Sequence, residues 1–164
     1  MAQVEIAQVG AEGLETIEPL WISMHRHHEV VSPMIGRFGE LPDLGELWSR
    51  RRGHYEVWLA EPGAALLIAT LDGIPVGYAM VRIRGPRRAW EPREPIGTLE
   101  TLAVEETRRG LGVGGLLMQA VREVLAREGA VALELSVLDG NDAAMRFYER
   151  HGLRPALVTF MGPA

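Results

Sequence analysis

The chain has 164 residues, 47% hydrophobic and 24% charged, with a formal net charge of −5. This is the size and composition of one globular domain, and the negative charge argues against nucleic acid as a principal partner. With no cysteine, a disulfide framework, a thiolate metal site and a cysteine acyl-enzyme are excluded.

The start of the chain, Met1 to Gly10, lacks the basic and long apolar regions of a signal peptide. The longest apolar run, near Ala64 to Ala69, is too short to span a membrane. A cytoplasmic protein without membrane contact is expected. Gln3 to Val9 alternates Val4 and Ile6 with polar neighbours, as a strand does. Glu12 to about Val31 reads as helical, with Leu14, Ile17, Trp21 and Met24 on one side. Pro19 is expected to start or kink a segment there.

Ser32 to Gly45, punctuated by Pro33, Gly36, Gly39 and Pro42, is a loop. A second helix runs from Leu44 to about Leu59 and carries Leu47, Trp48, Tyr55 and Trp58. Ala65 to Leu71 and Ile74 to Arg84 form a hairpin across Asp72-Gly73. Gly85 to Pro95, with Arg87, Arg88 and Arg93, reads as an exposed loop in which Glu91 and Glu94 dilute the positive charge. Ile96 to Val104 is the central strand.

Apolar residues at 113, 116, 117, 120, 121, 124 and 125 lie on one face of a further helix, and Gly129 stops it. Its start is unusual. Arg108 and Arg109 precede Gly110, Gly112, Gly114 and Gly115, where acidic residues usually sit. Bare N–H groups, glycine and arginine together suit a phosphate or pyrophosphate. The G-K-[ST] ending of a nucleotide triphosphate loop is missing. Gly110, Gly112 and Gly115 also fit G-x-G-x-x-G, with Asp139 at the end of the next strand, so a nicotinamide-dinucleotide site is a competing reading. The polar stretch from Glu105 to Arg109 and the short chain after Asp139 count against it.

Val131 to Leu138 is the next strand. Asn141 is a good N-cap for a helix over Asp142 to His151, ended by Gly152. Ala156 to Met161 is expected as a last strand. Antiparallel strands followed by a strand–helix–strand unit make a mixed α/β sandwich.

Three segments resemble the GNAT N-acetyltransferase superfamily. Arg109-Gly110-Leu111-Gly112-Val113-Gly114 is similar to its R-x-x-G-x-G acyl-CoA pyrophosphate loop, following the strand end Leu102-Ala103-Val104. Asn141, Ala144, Phe147 and Tyr148 match N-x-x-A-x-x-F-Y, and Glu149 to Leu153 matches E-x-x-G-[FL].

The resemblance implies one α/β (α+β) domain over 1–164, with a mainly antiparallel sheet of six to seven strands and about four helices. The acceptor half would be about 1–95 and the acyl-CoA half about 96–164. It implies an N-acetyltransferase acting by direct transfer from acetyl-CoA to a primary amine, and it admits a homodimer. Cofactor binding would fall to Leu102, Ala103, Val104, Arg109, Gly110, Leu111, Gly112, Val113, Gly114, Gly115, Asn141, Ala144 and Tyr148. Tyr148 would be the proton donor to the leaving thiolate.

Glu100 is the candidate base. Strand alternation puts it on the side of Leu102 and Val104, and its alternative role is an ion pair with Arg82 or Arg84. Thr98 stands where some relatives place their acid. His25, His27 and His28 are read as helix-surface or acceptor-pocket residues, with no metal expected. A non-catalytic acyl-CoA-binding module would keep the loop but need neither Tyr148 nor Glu100.

Overall fold

The computed structural model describes residues 3–164. A five-stranded sheet runs in the order β1 (Val4–Val9), β2 (Ala65–Leu71), β3 (Ile74–Arg84), β4 (Ile96–Val104), β5 (Ala132–Leu135). The first four strands pair antiparallel, and β4 pairs parallel with β5. Helices α1 (Leu14–Val31) and α2 (Leu44–Leu59) cover one face. Helices α3 (Val113–Arg127) and α4 (Asp142–Arg150) belong to the other.

Each face has its own core. Leu14, Ile17, Trp21, Trp48, Tyr55, Tyr78 and Met80 pack on the α1/α2 side. Leu67, Ala79, Val81, Leu99, Val113, Leu117 and Val121 pack on the α3 side. The side chains of β2 and β3 alternate between the two, so those strands are buried nearly throughout. Close approach requires glycine at Gly77, where a Cβ would lie 2.8 Å from the Ala103 carbonyl. The turn of the hairpin has positive φ at both Asp72 (51°) and Gly73 (78°), as a two-residue connection between twisted strands demands.

Four expectations need correction. The described residues form five strands rather than six or seven. The segment Ala156–Met161 forms no strand, and Leu157, Val158, Phe160 and Met161 are exposed. Its alternation would suit a half-buried strand, but among the described residues no strand pairs with it. The strand expected over Val131–Leu138 is confined to Ala132–Leu135. Pro19 does not start a segment: it lies inside α1, whose entry is made by a 3-10 turn over Ala11–Gly13. A proline at that position removes one N–H donor from the helix ladder.

The loop after β3 is also more than a solvated run. Arg84 donates to both oxygens of Glu91 and to Glu134, and Glu91 accepts from the backbone N–H of Arg87 and Arg88. The side chains of Arg84 and Glu91 are only 6% and 2% exposed. The Arg84 guanidinium, helped by the Arg87 amide, holds the Glu91 carboxyl well below the usual carboxylate range. A depressed folded pKa contributes stability at neutral pH that is lost as pH falls below about 4.5, the unfolded value. The urea midpoint of the wild type should therefore exceed that of Glu91→Gln at pH 7, and the gap should narrow steadily below pH 4.5. A gap independent of pH would contradict this role for the charge.

Candidate active site

The site is built where β4 leaves its parallel neighbour. Pairing with β5 runs only from Ile96 to Leu99, so among the described residues no strand pairs with Glu100 to Val104 on that side. Immediately beyond, the chain turns through a 3-10 segment over Glu106–Arg108 and enters α3. Arg109 Nε donates to the Val104 carbonyl at 3.4 Å and ties the loop back to the strand end.

The start of α3 differs from those of α2 and α4. Asp43 caps α2 by accepting from the Glu46 N–H, and Asn141 caps α4 by accepting from the Ala144 N–H. α3 has no side-chain cap and no acidic residue in its first turn. Its first ladder bond is from Leu116 N–H to the Gly112 carbonyl. The backbone N–H groups from Gly110 to Gly115 find no acceptor among the described residues. An accumulation of this kind at the positive end of a helix dipole is an anion site in waiting.

The glycines do two separate jobs. Gly110 and Gly112 have φ of 79° and 82°, and a Cβ at either would meet nothing within 4 Å. These two bend the backbone and leave open space in front of it. Gly114 is crowded by packing instead: its Cβ would lie 3.1 Å from the Phe147 ring of α4, which would have to give slightly. At Gly115 the nearest atom is His151 Nε2, at 3.7 Å. The helix bearing Asn141, Ala144 and Tyr148 is thus seated directly on the start of α3. Phe147 and His151 pack with centroids 4.3 Å apart and rings tilted by 42°, and Phe147 meets Tyr148 edge-on at 5.1 Å. Burial pushes the Tyr148 phenol up to about 12.

Glu100 is not on the side that alternation assigns to it. Met80 pairs with Thr101 and Val81 with Leu99, so Glu100 is the extra residue of a β-bulge. A bulge shifts the facing pattern by one residue. Leu102 and Val104 pack on the α3 side, whereas Glu100 reaches Arg82 on the α2 side. There Arg82 Nη1 donates to Glu100 Oε1 at 2.8 Å, while its Nε and Nη2 grip both oxygens of Glu61 at 2.8 and 2.7 Å. The ion pair is therefore present, with Arg82. Arg84 is engaged elsewhere. Thr98 donates to Glu134 at 3.3 Å.

Next to Glu100, Thr101 Oγ1 lies 2.7 Å from the Tyr55 hydroxyl, which lies 3.1 Å from that of Tyr78. Burial raises the pKa of both tyrosines, so this chain of hydroxyls is neutral. His28 has its pKa lowered, first by burial and then by the positive charges of His27, His25, Arg109 and Arg51. His25 stacks on Trp21 at 5.1 Å, with Nε2 3.5 Å from Glu29. No three metal-ligating side chains converge among the described residues.

A sequence profile of the Acetyltransferase (GNAT) family matches residues 36–153. The chain belongs to this family. Its mixed sheet, with one parallel pair, is not the doubly wound parallel sheet of the dinucleotide reading, which the fold overturns. The mycothiol acetyltransferase of Acidimicrobium ferrooxidans is 31% identical over 67% of this chain and 33% of its own length. An uncharacterized N-acetyltransferase of Mycobacterium tuberculosis is 36% identical over 59% of this chain and 57% of its own. The chain thus spans a third to just over half of these curated relatives. Among solved structures, a tetramutant of the BH1408 protein of Bacillus halodurans superposes with a TM-score of 0.80, at 20% identity, over 98% of this chain and 99% of that one. The aminoglycoside N-acetyltransferase AAC(6')-Iy, solved with CoA, gives 0.76 at 19% identity, over 100% and 96%. At those identities the likeness speaks for the GNAT fold.

Within this GNAT chain the sequence reading brought together the loop, the β4 end and α4. Of the two partners it leaves open for Glu100, the structure selects Arg82. The reading did not single out the inward-facing Arg51 of α2. The signal for Arg51 was present: it falls in the apolar stripe of Trp48, Tyr55 and Trp58.

Proposed function

We propose that the chain moves an acetyl group from acetyl-CoA to an amine by direct transfer in a ternary complex. The observation that carries this is the row of unpartnered N–H groups from Gly110 to Gly115 beside the free edge of β4. The residues fit the cofactor: the N–H row and Arg109 suit a diphosphate, and the free backbone of Leu102, Ala103 and Val104 suits the amides of a pantetheine arm added like a strand. Leu111 and Val113 belong to the same loop and helix start, and in this reading Asn141 and Ala144, at the start of α4, would also contact the cofactor.

Glu100 and Tyr148 belong to opposite faces of the sheet, with the free edge of β4 between them. An acyl group held along that edge would present one side to each. The amine nitrogen bonds the acetyl carbon as the carbon–sulfur bond breaks. The amine proton leaves toward Glu100 Oε2, which Arg82 does not occupy, directly or through a water. The sulfur accepts a proton from Tyr148. A location in the cytoplasm, where acetyl-CoA is made and used, belongs to the same proposal.

Calorimetry of the pure chain with acetyl-CoA and with NAD tests the reading. The wild type should bind acetyl-CoA and not NAD, and Arg109→Ala with Gly112→Val should weaken acetyl-CoA at least tenfold. Gly112 supports that choice, because valine is strained at its φ of 82° and would fill the open space in front of the loop. Failure to bind acetyl-CoA would sink the proposal. Binding without amine-dependent release of CoA would select the non-catalytic module.

A further inference from the structure

Helix α2 carries three arginines in succession, and they have different fates. Arg50 pairs with Glu46, and Arg52 pairs with Glu56 and approaches Glu15. Both lie on the outward side of the helix. Arg51 turns the other way, into the stripe of Trp48, Tyr55 and Trp58 that packs on the sheet. Its guanidinium lies 5.7 Å from the Tyr55 ring and 5.8 Å from the Trp58 ring. No side chain or carbonyl of the described residues accepts a hydrogen bond from it, and no carboxylate lies within 4.0 Å. Arg51 is half-buried along this stripe and has no anion, although its five donors form a fork shaped for a carboxylate.

Its surroundings are those of the proposed acceptor side. Trp58 takes Arg51 at 5.8 Å and Arg82 at 4.8 Å, and Arg82 is the residue that holds Glu100. Arg51 and Glu100 also both exert their charge on the Tyr55 hydroxyl. The site thus offers a carboxylate for an ammonium and, beside it, an unsatisfied guanidinium for an anion. The adjacent His28 is half-buried and adds no acidic group.

We infer that the acceptor amine carries a carboxylate on the same molecule, and that Arg51 binds it and so directs the amine toward Glu100. This rests on the acetyl-transfer reading above. Arg51 acts as a specificity residue: it contacts the acceptor and takes no part in bond making. An amide in place of the carboxylate leaves the guanidinium unpaired in the complex, which is where discrimination between the two arises.

The test uses matched acceptors with the intact chain and acetyl-CoA, following CoA release. One series comprises α-amino acids, β-alanine, 4-aminobutanoate and 6-aminohexanoate. The other holds the corresponding carboxamides, with the same amine and no negative charge. For the best acceptor, the acid should exceed its amide in kcat/KM by about tenfold or more, mostly through KM. Arg51→Gln should bring the two within about twofold and leave the KM for acetyl-CoA unchanged. Arg51→Lys should retain part of the preference.

The inference is overturned if amides match or exceed acids on the wild type. Turnover confined to amines without a carboxylate overturns it too. So does a preference for acids that survives Arg51→Gln, or a raised KM for acetyl-CoA in that variant, which would place Arg51 on the cofactor side. Acetyl-CoA binding with no turnover of either series also overturns it, whereas no acetyl-CoA binding at all is the failure of the transferase reading itself.

Discussion

Tyr148→Phe should lower kcat by about 10²–10³ while leaving the KM for acetyl-CoA within about twofold. The expectation comes from where α4 puts the phenol. The ring is packed beside Phe147 on the α3 side of the sheet, and no described side chain or carbonyl takes its hydroxyl. Phenylalanine keeps that packing and removes only the oxygen and its proton. Burial raises the phenol to about 12, so Tyr148 is protonated throughout the neutral range and stands ready to donate. It is a weak acid beside a thiol of pKa ~8.5, so full transfer to a free thiolate would run uphill. In the proposed reaction the proton would therefore pass only in concert with cleavage of the carbon–sulfur bond, as the hydrogen bond to the sulfur strengthens with its developing charge.

A pH profile gives the second half of this test. With its pKa raised, Tyr148 supplies no falling alkaline limb below about pH 11, so the wild-type rate should stay level from neutrality to pH 9.5 on its account. A loss of less than threefold in Tyr148→Phe would reduce the residue to core packing against Phe147. A loss carried wholly by the KM for acetyl-CoA would make it a binding residue.

Much of this arrangement is legible in the sequence because it is local. The hairpin turn at Asp72-Gly73, the stripe of α3, the Asn141 cap and the bounds of β4 follow from periodicity and turn chemistry within a few residues. Glu100 shows where such reasoning stops. Alternation along a strand is sound until an extra residue enters one strand of a pair. The bulge opposite Met80 and Val81 leaves no mark in the residues of β4. The glycines of the α3 start show a second limit. A glycine favoured by φ, as at Gly112, and one crowded by a ring from a helix some thirty residues away, as at Gly114, look the same in a sequence. The partner of Glu100 has the same character. Both Arg82 and Arg84 lie on β3, and the choice between them is made by Glu61, Glu91 and Glu134, each from a different part of the chain.

Gly140→Ala should be among the most damaging single-methyl changes in the molecule. Gly140 sits in the turn between β5 and α4, with φ of 88°, and a Cβ there would overlap the carbonyl oxygen of Val31 at the end of α1. Neither obstacle can be relieved by a side-chain rotation, since both are backbone. The left-handed conformation alone costs an L-residue of order 1–2 kcal/mol, and moving the end of α1 adds to it. A total of at least about 3 kcal/mol is expected, or roughly 6–12 °C in Tm for a domain of this size. Gly129→Ala is the control. Gly129 also has positive φ, 68°, but a Cβ there meets nothing within 4 Å, so it should show the conformational term by itself. The difference between the two variants then measures the contact between α1 and the α4 turn. That contact joins the histidine-bearing end of α1 to the turn ahead of the Asn141 cap and Tyr148. If Gly140→Ala unfolds no earlier than Gly129→Ala, the two segments are not held together as tightly as the structure has them. The placement of the α1 end against the turn that leads into α4 would then lose its support.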